Sequence, residues 1–283
     1  MLQVSKILDT ATGNPLPYPT TNDTTVTGAI VAEGSQVSEA DVSVGHIIFG
    51  AYKFSTNMVK VSLELLQDSA FDMEGFLKDQ FAIRLGRILN TKFTVGAGTT
   101  EPLGLITAIA ASLPSPQAAS SGVAIGTPLI AAGSSTNTGG TETGGHSIGS
   151  SDLINLEHTV DPLYRRGAKF LMNDSTLRQI KTLLDKYGRP LWLPGLASGS
   201  PDTIDGYEYA VNNDMAAIAP SAVTVAFGPM EKYLIRRVRE LAVLRLVERY
   251  PDYGQVAFLG FARYDGNLLD AGTHPIYLIQ ASS

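Results

Sequence analysis

The stretch Val61 to Leu105, VSLELLQDSAFDMEGFLKDQFAIRLGRILNTKFTVGAGTTEPLGL, decides how this chain is read. Its middle carries a helical period: Met73, Leu77, Phe81, Leu85 and Ile88 recur at spacings of four and three, and Phe76, Ile83 and Leu89 widen the stripe. Asp72 is a candidate N-cap, and Glu74 stands where the helix dipole favours an anion. Lys78, Asp79, Arg84 and Arg87 fall on the other face, so one side is expected to be buried and the other solvated or held by a partner. A helix from Asp72 to Phe93 is about 33 Å long at ~1.5 Å per residue, which is long for a domain of this size. The run Gly96-Ala97-Gly98-Thr99-Thr100 can take positive φ and is expected to end the helix in a tight loop before Glu101-Pro102-Leu103-Gly104. These glycines do not read as a phosphate cradle, because Glu101 stands at the place of the last glycine and no lysine follows.

Working outward, the N-terminal side carries Pro15, Pro17 and Pro19 at alternate positions, which forces an extended path. AIVAEG (29–34) and HIIFGAYKFSTNMVKV (46–61) read as two strands around the acidic segment Glu33 to Asp41. An isolated hairpin is marginal in water, so this one is expected to lie on another subunit. On the C-terminal side, the apolar run from Leu105 leads into a stretch dense in Gly, Ser and Thr, read as a loop or surface insertion at about 132–151. Ser151-Asp152 is expected to cap a helix over LINLEHTVDPLYRR. Ala168 to Met172 reads as a buried strand, and Asn173-Asp174-Ser175 as the cap of a second helix stopped by Gly188. Asp205-Gly206 marks a turn, and strand signals recur from Val223 onward to Val256–Arg263 and Ile276–Gln280.

This order of elements, with the capped helix of F-L-M-N-D-S-T-L-R-Q-I-K-T-L-L-D-K-Y-G-R-P-L-W, resembles the major capsid proteins of tailed bacteriophages with the HK97-type fold. The resemblance covers nearly the whole chain after about residue 28 and lies in the order of elements rather than in one motif. It implies an α+β protomer with a long spine helix (about 72–93) and an extended loop over 28–57. A peripheral domain would comprise 1–27, 58–110 and 239–267, and an axial domain 111–238 and 268–283. It implies self-assembly into pentamers and hexamers of an icosahedral head around double-stranded DNA. Scaffold, maturation protease, portal and decoration proteins are the further partners it implies, with no cofactor and no membrane. The family's N-terminal arm and scaffold-like segment do not stand ahead of the prolines, so the resemblance makes Met1 an internal residue of a longer gene product. Its self-cross-linking member needs a Lys, an Asn and a Glu at places that align near Ile47, Val256 and Arg263, so cross-linking is not expected. An encapsulin-type compartment shares the fold and is the alternative; a soluble α+β enzyme is the rival of another class.

Composition narrows the rest. There is no cysteine, which removes disulfides, thiolate metal sites and thiol catalysis. The formal net charge of −6 argues against a basic surface that wraps nucleic acid. Charged residues are 17%, below the usual ~25%, which suits faces covered by neighbours. No apolar run approaches the ~20 residues that span a bilayer. His46, His146, His158 and His274 stand far apart without metal-ligand spacing, no G-x-S-x-G elbow occurs, and Glu157, His158 and Asp161 read as an ordinary helix end. The residues singled out for contact between subunits are the acids Glu33, Glu39, Asp41 and Glu101 and the cations Lys53, Arg84, Arg87, Arg236, Arg237, Arg239, Arg245 and Arg249.

Overall fold

The structure, a computed structural model, describes residues 1–22, 28, 30–37, 39, 41, 44–68, 72–112, 148–183, 203–219, 222–270 and 272–280, and the backbone of 129–130. In chain order the elements are β1 (Lys6–Thr10), β2 (Leu16–Thr21), β3 (Val44–Phe49), β4 (Tyr52–Ser55), β5 (Val59–Ser62), α1 (Leu63–Asp68), α2 (Met73–Val95) and α3 (Leu105–Ser112). There follow β6 (Leu129–Ile130), α4 (Ser150–Thr159), α5 (Pro162–Arg165), β7 (Lys169–Met172), α6 (Asp174–Lys181), β8 (Glu208–Val211), β9 (Val223–Gly228), β10 (Tyr233–Leu246), β11 (Gln255–Leu268) and β12 (Tyr277–Gln280).

Helix α2 starts where the cap predicts, with the Asp72 carboxylate accepting the Gly75 N–H at 3.0 Å. Its buried stripe differs from the expected one. Leu77, Phe81, Leu85, Leu89 and Phe93 are buried at a strict spacing of four, while Phe76, Ile83 and Ile88 are exposed, Ile88 to 42%. A row of four-residue steps runs oblique to the helix axis, so the helix crosses its sheet at an angle and Ile88 is carried off the contact. Among the glycines that follow, only Gly98 has positive φ, at 77°. Gly96 is needed for closeness instead: a Cβ there would overlap the Pro102 and Lys92 carbonyl oxygens, and one on Gly104 would overlap the backbone of Thr94, Val95 and Gly96. The Gly104 N–H to Gly96 oxygen bond, 2.9 Å, folds α3 back against the end of α2.

Two five-stranded sheets carry the rest. The first has the order β1-β10-β11-β4, with β5 also on β11; β1 is parallel to β10 and the other pairs are antiparallel. The second has the order β6-β12-β9-β7-β8. Val61, Leu77, Phe81, Val256 and Phe258 form a small core between the first half of α2 and the first sheet. The second half of α2 enters the main core, where Phe93 meets Tyr233 and Tyr264 edge to face at 6.4 and 6.2 Å. Gly266 leaves the room for this cluster, since a Cβ there would press on Tyr233 Oη and Phe93. Asn90 and Thr91 reach across to Asn212 and Asp214, tying the helix to the segment after β8.

The later elements follow the sequence with local shifts. Helix α4 begins earlier than expected, at Ser150, because Asp152 accepts the Gly149 N–H (2.8 Å) and so acts three residues inside the helix rather than as its cap. Asp161-Pro162 interrupts the expected continuous helix and restarts it as α5. Asn173 caps α6 through the Ser175 N–H at 3.0 Å. Asp205 and Gly206 both have positive φ and close a turn between Ile204 and Tyr207. Helix α6 ends at Lys181, before the expected stop at Gly188, and Gly188 and the Gly/Ser/Thr stretch before Ile148 lie outside the described residues.

Candidate assembly surfaces

The clearest departure from a closed domain is the pair β2 and β3, an antiparallel ribbon with register from Leu16↔Phe49 to Thr21↔Val44. The expected partner strand AIVAEG is not one: where residues 30–37 are described they carry no strand, and the partner of β3 is the proline segment. A ladder uses the N–H of every second residue, which Leu16, Tyr18 and Thr20 supply; Pro17 and Pro19 fall on the alternate positions, whose N–H would face the outer edge. The prolines thus blunt that edge without breaking the pairing. One face carries Tyr18 against Phe49 at 6.1 Å; the other exposes Pro17, Pro19, Val44, His46 and Ile48. Between Asn22 and Ala51 stand four carboxylates, Asp23, Glu33, Glu39 and Asp41, and no Lys or Arg. Glu33, Glu39 and Asp41 are exposed.

The arginines of β10 separate by position. Arg236, singled out for contact between subunits, is only 1% exposed and bonds within its own chain. Its Nε donates to Thr10 Oγ1 (3.1 Å), one terminal nitrogen to the Phe49 and Gly50 oxygens (3.0 and 2.9 Å), and the other to the Thr12 oxygen (2.8 Å). Directly opposite on β11, Asp265 accepts the Gly50 and Gly266 N–H groups at 2.5 and 2.8 Å. Burial pushes its carboxyl above the usual range, against the pull of those two bonds and of Arg236. Arg237 makes a bidentate pair with Asp9 (2.6 and 3.0 Å), which holds that carboxyl below its ordinary range. Arg239 sits at φ 59° in the bulge between Val238 and Ala242 and donates to the Ala11 oxygen at 3.1 Å.

Elsewhere, Arg245 pairs with Glu74 at 2.9 Å, the Arg249 guanidinium lies 5.6 Å from the Tyr250 ring, and Lys53 lies 3.8 Å over Phe261. Arg84 and Arg87 are exposed on α2 beside Ile83 and Ile88. Glu101 serves its own loop: it pairs with Lys92 at 2.5 Å and accepts the Ala97 N–H at 2.9 Å, and the Lys92 bond, then the Ala97 bond, lower its pKa. Asp265 is the residue that sequence reasoning missed. An aspartate inside the apolar strand run F-A-R-Y-D-G was the available signal, since a buried carboxylate requires donors.

Glu157, His158 and Asp161 make separate contacts rather than one cluster. Glu157 accepts the Tyr207 hydroxyl (3.2 Å), Asp161 caps Leu163 (2.8 Å), and Arg165 lies 3.4 Å from His158 Nδ1. His274 is held by Asp270 at 3.0 Å.

Comparison with known proteins agrees with this geometry. The phage capsid family matches residues 1–274. A chain from the capsid of a native GTA particle is 26% identical and superposes with a TM-score of 0.76, over 100% of this chain and 89% of that one. Chains of Microbacterium phage Oxtober96 and Mycobacterium phage Cain are 15% and 12% identical, with TM-scores of 0.67 and 0.63, over 98% of this chain and 89% and 88% of theirs. At that identity the likeness is one of fold. No curated protein sequence matches. A family match over 1–274 and a shared HK97-type architecture lead to one assignment: this chain is a structural protein of the phage capsid family.

Proposed function

We propose that this capsid protein builds its icosahedral head from pentamers and hexamers of itself, each arm (the β2–β3 ribbon and its acidic tip) lying across a neighbouring protomer. The observation that carries the reading is the ribbon itself, which has two strands, an exposed apolar face and carboxylates without cations. A two-stranded ribbon is marginal alone, and an exposed apolar face marks a contact. Head-to-tail contacts of this kind close into rings, and many weak contacts per subunit make a durable shell.

Glu33, Glu39 and Asp41 are the acidic side of such contacts, and Arg84, Arg87, Arg245 and Arg249 the basic side, where they set register more than affinity. In this reading α2, the first sheet and α3 belong to the peripheral domain and the second sheet to the axial one, with β2 joining residues 28–49 in the arm. The net charge of −6 fits double-stranded DNA that is enclosed and touched loosely. Scaffold, maturation protease, portal and decoration proteins are the partners such a head calls for. Hydrogen exchange tests the arm: amides of residues 44–49 should gain protection when free subunits assemble. Equal protection in both states would remove the arm from the contact.

A further inference from the structure

We propose that Arg236 and Asp265 form a latch that fixes the direction in which the arm leaves the body, and with it the arm's reach toward a second copy of this chain. The inference rests on the reading of the arm as an inter-protomer element. The two residues are cross-strand partners on β10 and β11, so their side chains rise from the same face of the sheet. That face lies under the root of the arm. One leg leaves β1 through Thr10 and Thr12 and enters the ribbon at Leu16; the other leaves the ribbon at Phe49 and rejoins the first sheet at Tyr52.

The hydrogen bonds of the Arg236 guanidinium go to these legs: Thr10 Oγ1 and the Thr12 oxygen on one, the Phe49 and Gly50 oxygens on the other. Gly50 is gripped twice, its oxygen by Arg236 and its N–H by Asp265. It stands where the chain passes from arm to body, so both polar groups of the joint residue are committed to side chains of the sheet. The opposite leg is shaped to match. A Cβ on Gly13 would press on the Arg263 guanidinium, so glycine lets that leg lie close over the sheet.

Swinging the arm would strip a buried cation of its acceptors and a buried carboxylate of a donor. Unsatisfied buried charges are strongly disfavoured, so the root has one well-populated geometry rather than a hinge-like range. Arginine is suited to the position because its planar fork supplies donors in several directions at once; the ammonium of a lysine is a single point and cannot serve two legs together.

The test measures arm direction in unassembled full-length chains. Since the chain has no cysteine, Val44→Cys on β3 and Asp79→Cys on α2 give two unique, exposed sites for spin labels. Pulsed electron spin resonance should give one narrow distance distribution in the parent background. Arg236→Lys should broaden it, and so should Asp265→Asn, because the amide sets its NH2 against one of the two N–H donors that both carboxylate oxygens now accept. In Asp265→Asn whichever of the Gly50 and Gly266 amides faces the NH2 should exchange about tenfold faster or more, the loss of one charge-assisted bond. Leu77→Ala, a core substitution remote from the root, is the control and should lower stability without broadening. Parental distributions in both latch variants, with native circular dichroism, would overturn the latch; if Arg236→Lys does not fold, Asp265→Asn decides. Broadening with lower shell yield is the expected pair of results. Broadening with parental shell yield would keep the latch and overturn the arm's part in assembly.

Discussion

Phe93→Ala is the substitution that most directly probes how the spine helix α2 sits on the protein. Phe93 is fully buried and meets the edges of Tyr233 and Tyr264, where Gly266 has no side chain to fill a vacated space. Replacing a core phenylalanine by alanine costs about 3–5 kcal/mol, and two aromatic contacts place this site near the middle or above, at about 4. Ile88→Ala is the matched control, since a helical period in the sequence puts Ile88 on the buried stripe whereas the structure leaves it 42% exposed. Its loss of partial burial, about 1 kcal/mol, is offset in part by the higher helix propensity of alanine. The two variants should therefore differ by about 3 kcal/mol, a large share of a typical total stability of about 5–15. Urea unfolding of unassembled chains, followed by circular dichroism, reads this difference with assembly kept out. Equal losses for the two, or a loss under about 1 kcal/mol for Phe93→Ala, would refute the oblique seating of the helix.

Two further outcomes follow from local chemistry. Because bonds to Lys92 and Ala97 lower the pKa of Glu101, its contribution is present at neutral pH and is lost as pH falls from the ordinary carboxylate range through the lower folded value. Thermal melts of Glu101→Gln and parent should differ at about pH 7 and converge near about pH 3, and a constant gap would contradict the assignment. Shells should also be free of covalent links between subunits, since Ile47 carries no amine and Val256, buried in β11, no carboxamide. Boiled shells on a denaturing gel should give one monomer band; a ladder would refute this.

The sequence was most legible where local signals act alone. Asp72, the four-residue spacings and the glycines after Val95 locate α2 because caps, period and breakers are all properties of neighbouring residues. Ile88 was misplaced because a stripe of threes and fours and a strict stripe of fours overlap over two turns and part only over six; only the sheet beneath decides. The arm shows a second limit. Three alternating prolines announce an extended segment, but not that β2 pairs with a strand more than twenty residues on, since strand partners are non-local. Arg236 shows a third. Charge alternation along β10 suggests solvent on one face, yet the arm's root covers that face at Arg236 and turns a surface-like residue into an interior one. What identified the chain was neither a motif nor a site but the order of elements, which is why contact residues were less legible than fold.

Electron microscopy of the purified full-length protein tests the central claim most directly. The account predicts closed shells, or rings of five and six protomers, at concentrations where the arms can meet. A monodisperse single protomer that stays so at high concentration and with crowding agents would contradict it.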